Sequence, residues 1–391
     1  MEFVIFGLTL LGVALFHRHA LAVAVAGFIL TILVRVASAP GGIDAGGHEI
    51  AAHLASEWVT FANLFLLLLG FAVLANQFEQ SNLPEAIPSR LPAGWLGGIA
   101  LLAVVFGLSI FLDNIAGAII GGIMARHVYR NGVTIGFQAA IVAAANAGGA
   151  GSVIGDTTTT MMWISGISPL QLAPAFIGAI AAFAFFAPLA TLRQQRLSPI
   201  SRGPASHVQI DWVRVAIVWI ILAAVVAVNV VGNSLFPELE KTAPALGIGL
   251  WIAVLATTPF RAPDWRVLIE ATKGATFLVV LVALASLIPV DELPSPSAFS
   301  VFGLGVLSAV FDNIPLTALA LNQGGYDWAL LAYAVGFGGS MVWFGSSAGV
   351  ALTNIFPEGR SVVQWLRNGW PVAVAYLVGF LVMLAVMGWR P

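Results

Sequence analysis

Three aspartates lie inside apolar sequence: Asp113 in FLDNIAG, Asp312 in VFDNIPL and Asp156 in NAGGAGSVIGDTTTT. An ionised aspartate at membrane depth costs at least about 2.5 kcal/mol unless something positive stands beside it. A buried salt bridge would relieve that cost, yet no partner is local. The next basic residue after Asp113 is Arg126, and residues 299–353 contain no Lys or Arg. Unless a distant span supplies a cation, a protonated carboxyl or a bound ion remains, and a site alternating between these exchanges cations for protons. Burial disfavours the carboxylate charge and keeps the proton on, whereas a nearby Na⁺ favours the charged form and displaces it. Neighbouring carboxylates would titrate as a coupled set. Neutral oxygens for a hard cation surround these aspartates in sequence: Asn114, Asn146 and Asn313, the hydroxyls of Thr157, Thr158, Thr159, Ser340, Ser346 and Ser347, and carbonyls freed where a helix breaks.

The elements that must position these groups are membrane spans. Of the 391 residues, 59% are hydrophobic and 9% charged, and apolar runs long enough to span recur from end to end, which makes the chain an all-α polytopic membrane protein. Net charge near zero argues neither for a nucleic-acid partner nor for an acidic soluble one, and no nucleic acid is expected; the absence of cysteine excludes disulfides, thiolate catalysis and Cys-based metal sites. The first apolar run lacks a basic segment before it and reads as a retained span. Spans are expected at about 2–16, 20–36, 58–78, 168–191, 213–232, 244–258, 274–290 and 370–388. Interrupted regions are expected at 94–127, 135–165, 299–323 and 328–353.

Arginine and lysine placement decides whether the DN-bearing regions cross or turn back. Re-entrant hairpins, the first entering from the cytoplasm, put 13 of the 16 basic residues on the cytoplasmic side. Each half then crosses five times, so the halves form an inverted repeat of about ten spans with two hairpins and two interrupted helices, both termini outside. The repeats are 1–192 and 212–391, joined by a polar cytoplasmic linker at 193–211. Hairpin tips fall at 113–114 and 312–313, helix breaks at 148–160 and 338–349. Asp113 to Asp312 is a shift of 199, and Gly148-Gly149 to Gly338-Gly339 a shift of 190, which sets Gly155 on Gly345 and Asp156 on Ser346. Breaks in corresponding positions of two halves point to a transport site. Gly117, Gly121 and Gly122 are expected to serve helix packing instead. Pro315 reinforces the second tip. His17, His19, His48, His53 and His207 fall in expected loops and His127 at the foot of the first hairpin.

FLDNIAG, NAGGAGSVIGDTTTTMMW, VFDNIPLTAL and GGSMVWFGSSAGVA resemble the signature segments of NhaD-type sodium/proton antiporters, in the ion transporter superfamily that also holds dicarboxylate and arsenite carriers. The resemblance covers about 70–190 and 295–385. Gly151 and Val153 depart from it, standing where a bulkier residue and a proline would be expected. It implies ion-site roles for Asp113, Asn114, Asn146, Asp156, Thr158, Thr159, Asp312, Asn313, Ser346 and Ser347, with sodium at Asp113, Asp156 and Asp312. It also implies a transporter, not an enzyme, with no cofactor, moving Na⁺ or Li⁺ against H⁺ in a bacterial inner membrane, as a lipid-embedded homodimer of elevator type.

Carriers of carboxylates or neutral metalloid acids are the rival readings. Two fixed carboxylates at the tips repel a dianion, and charge does not discriminate against a neutral acid. An intramembrane aspartyl protease also needs two aspartates sharing a proton. The GxGD pattern resembling that family is missing here, because Val153 stands in place of its first glycine.

Overall fold

The computed structural model describes the chain except residues 17–18, 40–41, 131, 201–207, 236–237 and 239–241. No strand occurs among the described residues. Backbone polar groups in lipid must be satisfied internally, and helices satisfy them within one segment. The first half contains α1 (Glu2–Leu15), α2 (Ala20–Ser38), α3 (Gly42–Ser56), α4 (Trp58–Glu79), α5 (Trp95–Phe111), α6 (Asn114–Val128), α7 (Ile135–Gly149), α8 (Thr157–Ile164) and α9 (Ala175–Leu197). The second contains α10 (Trp212–Leu235), α11 (Ala245–Thr257), α12 (Val267–Ser286), α13 (Ala298–Ser308), α14 (Asn313–Gln323), α15 (Trp328–Gly338), α16 (Ser347–Ile355) and α17 (Val362–Met387). Six stretches among the described residues are long and apolar enough to cross a membrane: Ala20–Ser38, Trp58–Glu79, Pro169–Leu197, Trp212–Gly232, Val267–Ser286 and Val362–Met387. The interrupted regions are pairs of shorter helices.

Two compact units draw on both halves. The first comprises Met1–Gln77, Trp212–Leu293 and Ala318–Gln323. Within it α2 packs on α1, α3 and α12, and α10 on α11. Asn63, buried in α4, accepts from the Gly247 amide at the start of α11 (3.0 Å).

The second unit comprises Phe78–Asp211, Pro294–Thr317 and Gly324–Pro391. Its centre is α7 and α15, where Phe137–Gly149 and Ala329–Gly338 are buried without exception. Small side chains permit this. Alanine and glycine let helix backbones approach closely, so one Ala-rich helix can be covered on every side. Around α7 stand α5, α6, α9, α16 and α17, and α15 packs on α9, α13 and α17. Both central helices begin at a side-chain cap, Thr134 accepting from Phe137 N (3.3 Å) and Asp327 from Leu330 N (3.0 Å). Helices α5 and α6 fold back antiparallel, with Gly117 against Ser109 and Gly121 against Val105.

Several boundaries differ from the sequence expectation. Residues 42–56, expected as loop around His48 and His53, form α3. Its glycines give it little intrinsic helicity, and packing supplies the rest: a Cβ on Gly46 would stand 2.7 Å from Ala39 Cβ and 3.0 Å from Val36 Cα. His53 Nε2 lies 3.1 Å from Ser286 Oγ. His17 and His207 lie outside the described residues. Helix α17 starts at Val362, two turns before the expected span, because Ser361 caps it and Trp365 is buried, its indole N–H donating to Ser340 O (3.3 Å). Helix α9 continues to Leu197, held by buried Gln194, which accepts from Thr134 N (2.8 Å) and donates to Gly132 O (2.8 Å). Of the segment expected as linker, 193–197 are thus helical and 201–207 lie outside the described residues.

Candidate ion-binding site

All ten candidate side chains lie in the second unit, where four helices end and four begin. The breaks are built on close backbone approach. A Cβ on Gly148 would stand 2.1 Å from Phe106 O, one on Gly155 2.1 Å from Ser109 O, and one on Gly149 2.4 Å from Gly155 O. In the second half, a Cβ on Gly338 would stand 2.1 Å from Gly305 O, one on Gly345 2.8 Å from Ser308 O and one on Gly339 2.7 Å from Gly345 O. The breaks are related by 190 positions and the hairpin residues they touch by 199, so the same contact recurs at equivalent places. Hydroxyls then tie the first break down: Thr159 Oγ1 donates to Ser152 O (2.5 Å), Thr160 Oγ1 to Val153 O (2.8 Å) and Ser152 Oγ to Ile110 O (2.5 Å).

Each of the three aspartates stands at a helix start. Asp156, 2% exposed, caps α8, its Oδ1 accepting from Thr158 N (3.2 Å) and its Oδ2 lying 3.5 Å from Asn313 Nδ2. Asp312 Oδ1 accepts from Ile314 N (3.1 Å) at the start of α14, and its Oδ2 accepts from Ser347 Oγ (3.2 Å). Asp113, half-buried, occupies the N-cap of α6. Ser346 caps α16 through Gly349 N (3.4 Å) and is the counterpart of Asp156. Helix N-termini are therefore what faces these carboxylates, and their positive dipole ends offset part of the charge. No basic side chain is within 4 Å of the three among the described residues, and no Lys or Arg is buried there.

A second cluster is carboxamide and hydroxyl. Asn146, fully buried, accepts from Asn114 Nδ2 (3.1 Å) and donates to Ser340 Oγ (2.9 Å) and Ser346 Oγ (3.1 Å). This amide and the Asp156–Asn313 contact join residues of the first half to residues of the second. The hydroxyl of Thr158, buried in the first turn after Asp156, stands beside the Asp156 carboxyl.

The candidates thus assemble into one region but not into one cage. No three His, Cys, Asp or Glu side chains cluster as a metal site among the described residues. A monovalent cation would need a single carboxylate with neutral oxygens, and Asp156 with the Thr158 hydroxyl offers the start of that set, the Asn313 amide N–H steadying the second carboxylate oxygen. Sequence reasoning overlooked the capping role of the aspartates, and also Ser109 and Ser308, both buried. Ser308 Oγ donates to Val335 O (2.7 Å) on α15, whereas Ser109 Oγ has no hydrogen-bond partner among the described residues. Their signal was available: each precedes its hairpin aspartate by four residues.

No family model matches the chain. It is 30% identical over 292 residues to sodium/proton antiporter 1 of Arabidopsis thaliana, covering 63% of this chain and 48% of that protein, so it spans about half the length of that relative. It is 25% identical over 363 residues to the Na⁺/H⁺ antiporter NhaD of Vibrio parahaemolyticus, covering 77% of this chain and 84% of that protein. With the Na⁺/H⁺ antiporter NhaD of Alkalimonas amylolytica the identity is 24% over 389 residues, 84% of this chain and 77% of that one. These proteins are transporters by name. With its apolar helices and its duplicated motifs, the chain is a relative of the NhaD-type sodium/proton antiporters.

Proposed function

We propose that this protein exchanges Na⁺ or Li⁺ for H⁺ by alternating access, with Asp156 as the exchangeable charge. The observation that supports this most is the surroundings of Asp156: a buried carboxylate with no basic side chain within 4 Å among the described residues, beside the Thr158 hydroxyl and the Asn313 amide. With no cation bound, burial favours the protonated carboxyl. When Na⁺ arrives, the proton leaves and the carboxylate holds the ion with the Thr158 hydroxyl, while the Asn313 amide N–H stays on the second carboxylate oxygen, so the two cargoes never occupy Asp156 together. The equivalent glycine contacts of the two breaks support an inverted repeat, and alternating access is then rocking or sliding around a fixed site. The elevator form, the homodimer, the bacterial inner membrane and external termini follow from the family resemblance and the arginine distribution.

An anion carrier would use the four helix N-termini to hold its substrate. Here three of the four caps already hold a carboxylate, which supports a cation. The test is an imposed pH gradient across proteoliposomes, challenged with Na⁺, Li⁺, K⁺, succinate or arsenite. Dissipation by Na⁺ or Li⁺ is expected; uptake of succinate or arsenite with no response to any monovalent cation would overturn the reading.

A further inference from the structure

Outside the ion site, a cluster of like charges with no acidic partner among the described residues lies on helices α9 and α17. Helices α9 and α17 run antiparallel in close contact: a Cβ on Gly379 would stand 2.5 Å from Gly178 O, and one on Gly178 2.6 Å from Met383 Sδ. At the other end of the pair, Arg193 Cζ lies 5.2 Å from the centroid of the Trp370 ring, a cation–π arrangement. Three residues onward along α9 is Arg196, and three residues back along α17 is Arg367. The helices being antiparallel, both steps advance in the same direction by about 4.5 Å, so Arg196 and Arg367 stand at one level just beyond Arg193. All three arginines are exposed, and none has an acidic partner within 4 Å among the described residues. Neither helix contains an Asp or Glu. Glu358, four residues before α17, is engaged by Gln138 Nε2 (3.0 Å).

The same face of α17 continues as an apolar stripe. Val363, Leu366, Trp370, Val374, Leu377 and Leu381 are exposed and recur at the three- and four-residue spacing of one helix face. Three guanidinium groups within one helical turn, none with an acidic partner among the described residues, a tryptophan beside the first of them and an apolar stripe leading away form a surface with the polarity of a phospholipid. We propose that the α9–α17 face binds an anionic phospholipid, its phosphate held by Arg193, Arg196 and Arg367 and an acyl chain lying along Trp370, Val374, Leu377 and Leu381. Guanidinium suits phosphate because its planar donors bond two oxygens at once. A zwitterionic lipid would offer the same chains but cancel most of the charge.

Thermal unfolding of the detergent-purified full chain tests this with three additives: dioleoyl phosphatidylglycerol, dioleoyl phosphatidylcholine and inorganic phosphate. Phosphatidylglycerol should raise the midpoint above either of the others. Native mass spectrometry should find that lipid bound to the wild type with an affinity on the order of 100-fold above that for R193Q/R196Q/R367Q, at about fivefold per arginine. Should the triple variant fail to fold, R367Q alone should lose about fivefold. Equal stabilisation by phosphatidylcholine, an equal effect of inorganic phosphate, or unchanged phosphatidylglycerol affinity in the folded variant would each overturn the proposal.

Discussion

Asp156 and its counterpart Ser346 do the same structural work with different chemistry. Both cap a helix immediately after a glycine-lined break, so either residue type satisfies the local backbone. Only the aspartate can hold a proton or a charge. Asp156→Asn should therefore keep the cap and the fold while abolishing Na⁺-driven dissipation of a pH gradient; wild-type rates in that variant would remove Asp156 from the mechanism. Thr158→Val deletes one neutral oxygen next to it, an interaction worth about 1–2 kcal/mol. Its apparent Na⁺ affinity should fall about tenfold with the maximal rate less affected. Competition also fixes a sign for pH. Raising the pH removes the proton that competes for Asp156, so the KM for Na⁺ should fall by about tenfold per unit until the carboxyl is fully ionised, then level off. A KM independent of pH would mean the two cargoes use separate sites.

At the scale of elements, the two breaks are held open by contacts that tolerate no side chain. Gly155→Ala and Gly148→Ala each drive a Cβ to about 2.1 Å from a hairpin carbonyl oxygen. Backbone on both sides must then shift, at a cost of about 1–3 kcal/mol. A lower unfolding midpoint in detergent is expected for both, with a smaller effect for Gly107→Ala, where a Cβ meets nothing within 4 Å. Thr159→Val should destabilise by about 0.5–1.5 kcal/mol, the worth of one hydrogen bond, because the Ser152 carbonyl keeps the Gly155 amide as a donor (3.3 Å). Comparable midpoints for all four variants would show that the breaks do not depend on these contacts. The position of the first break was legible in the sequence because four glycines within eight residues, Gly148 to Gly155, weaken a continuous helix, although Thr157–Thr160, expected inside the break, already belong to α8. What the breaks lean on was not legible, since Phe106, Ser109, Gly305 and Ser308 come close only after the hairpins fold back.

For the whole molecule, a chain without cysteine permits a direct test of topology. Ten crossings with external termini place Pro391 outside and Ser198 inside. In right-side-out vesicles a membrane-impermeant maleimide should label Pro391→Cys and spare Ser198→Cys until the membrane is opened; the reverse pattern would invert the proposed orientation. The two compact units bear on the same question differently. Each takes stretches from both halves, so the boundary that divides the sequence near residue 200 is not the boundary that divides the contacts.

Composition by itself determined that this chain folds as membrane helices, because a backbone surrounded by lipid has few ways to satisfy its polar groups. Duplicated motifs determined where the helices break and which oxygens stand near the breaks. Tertiary structure alone decided what faces the aspartates. The sequence offered no nearby Lys or Arg, which left proton or cation as the partner. Folding adds a third, the amides at the starts of α8 and α14, because a helix N-terminus becomes a donor only once the helix exists and is aimed at the acceptor. Local propensity likewise gave no warning of α3 or of the first turns of α17, whose stability comes from neighbours distant in sequence. The union of Asn146 with Ser340 and Ser346, and of Asp156 with Asn313, joins groups 157 to 200 residues apart, a distance that no spacing along the chain encodes.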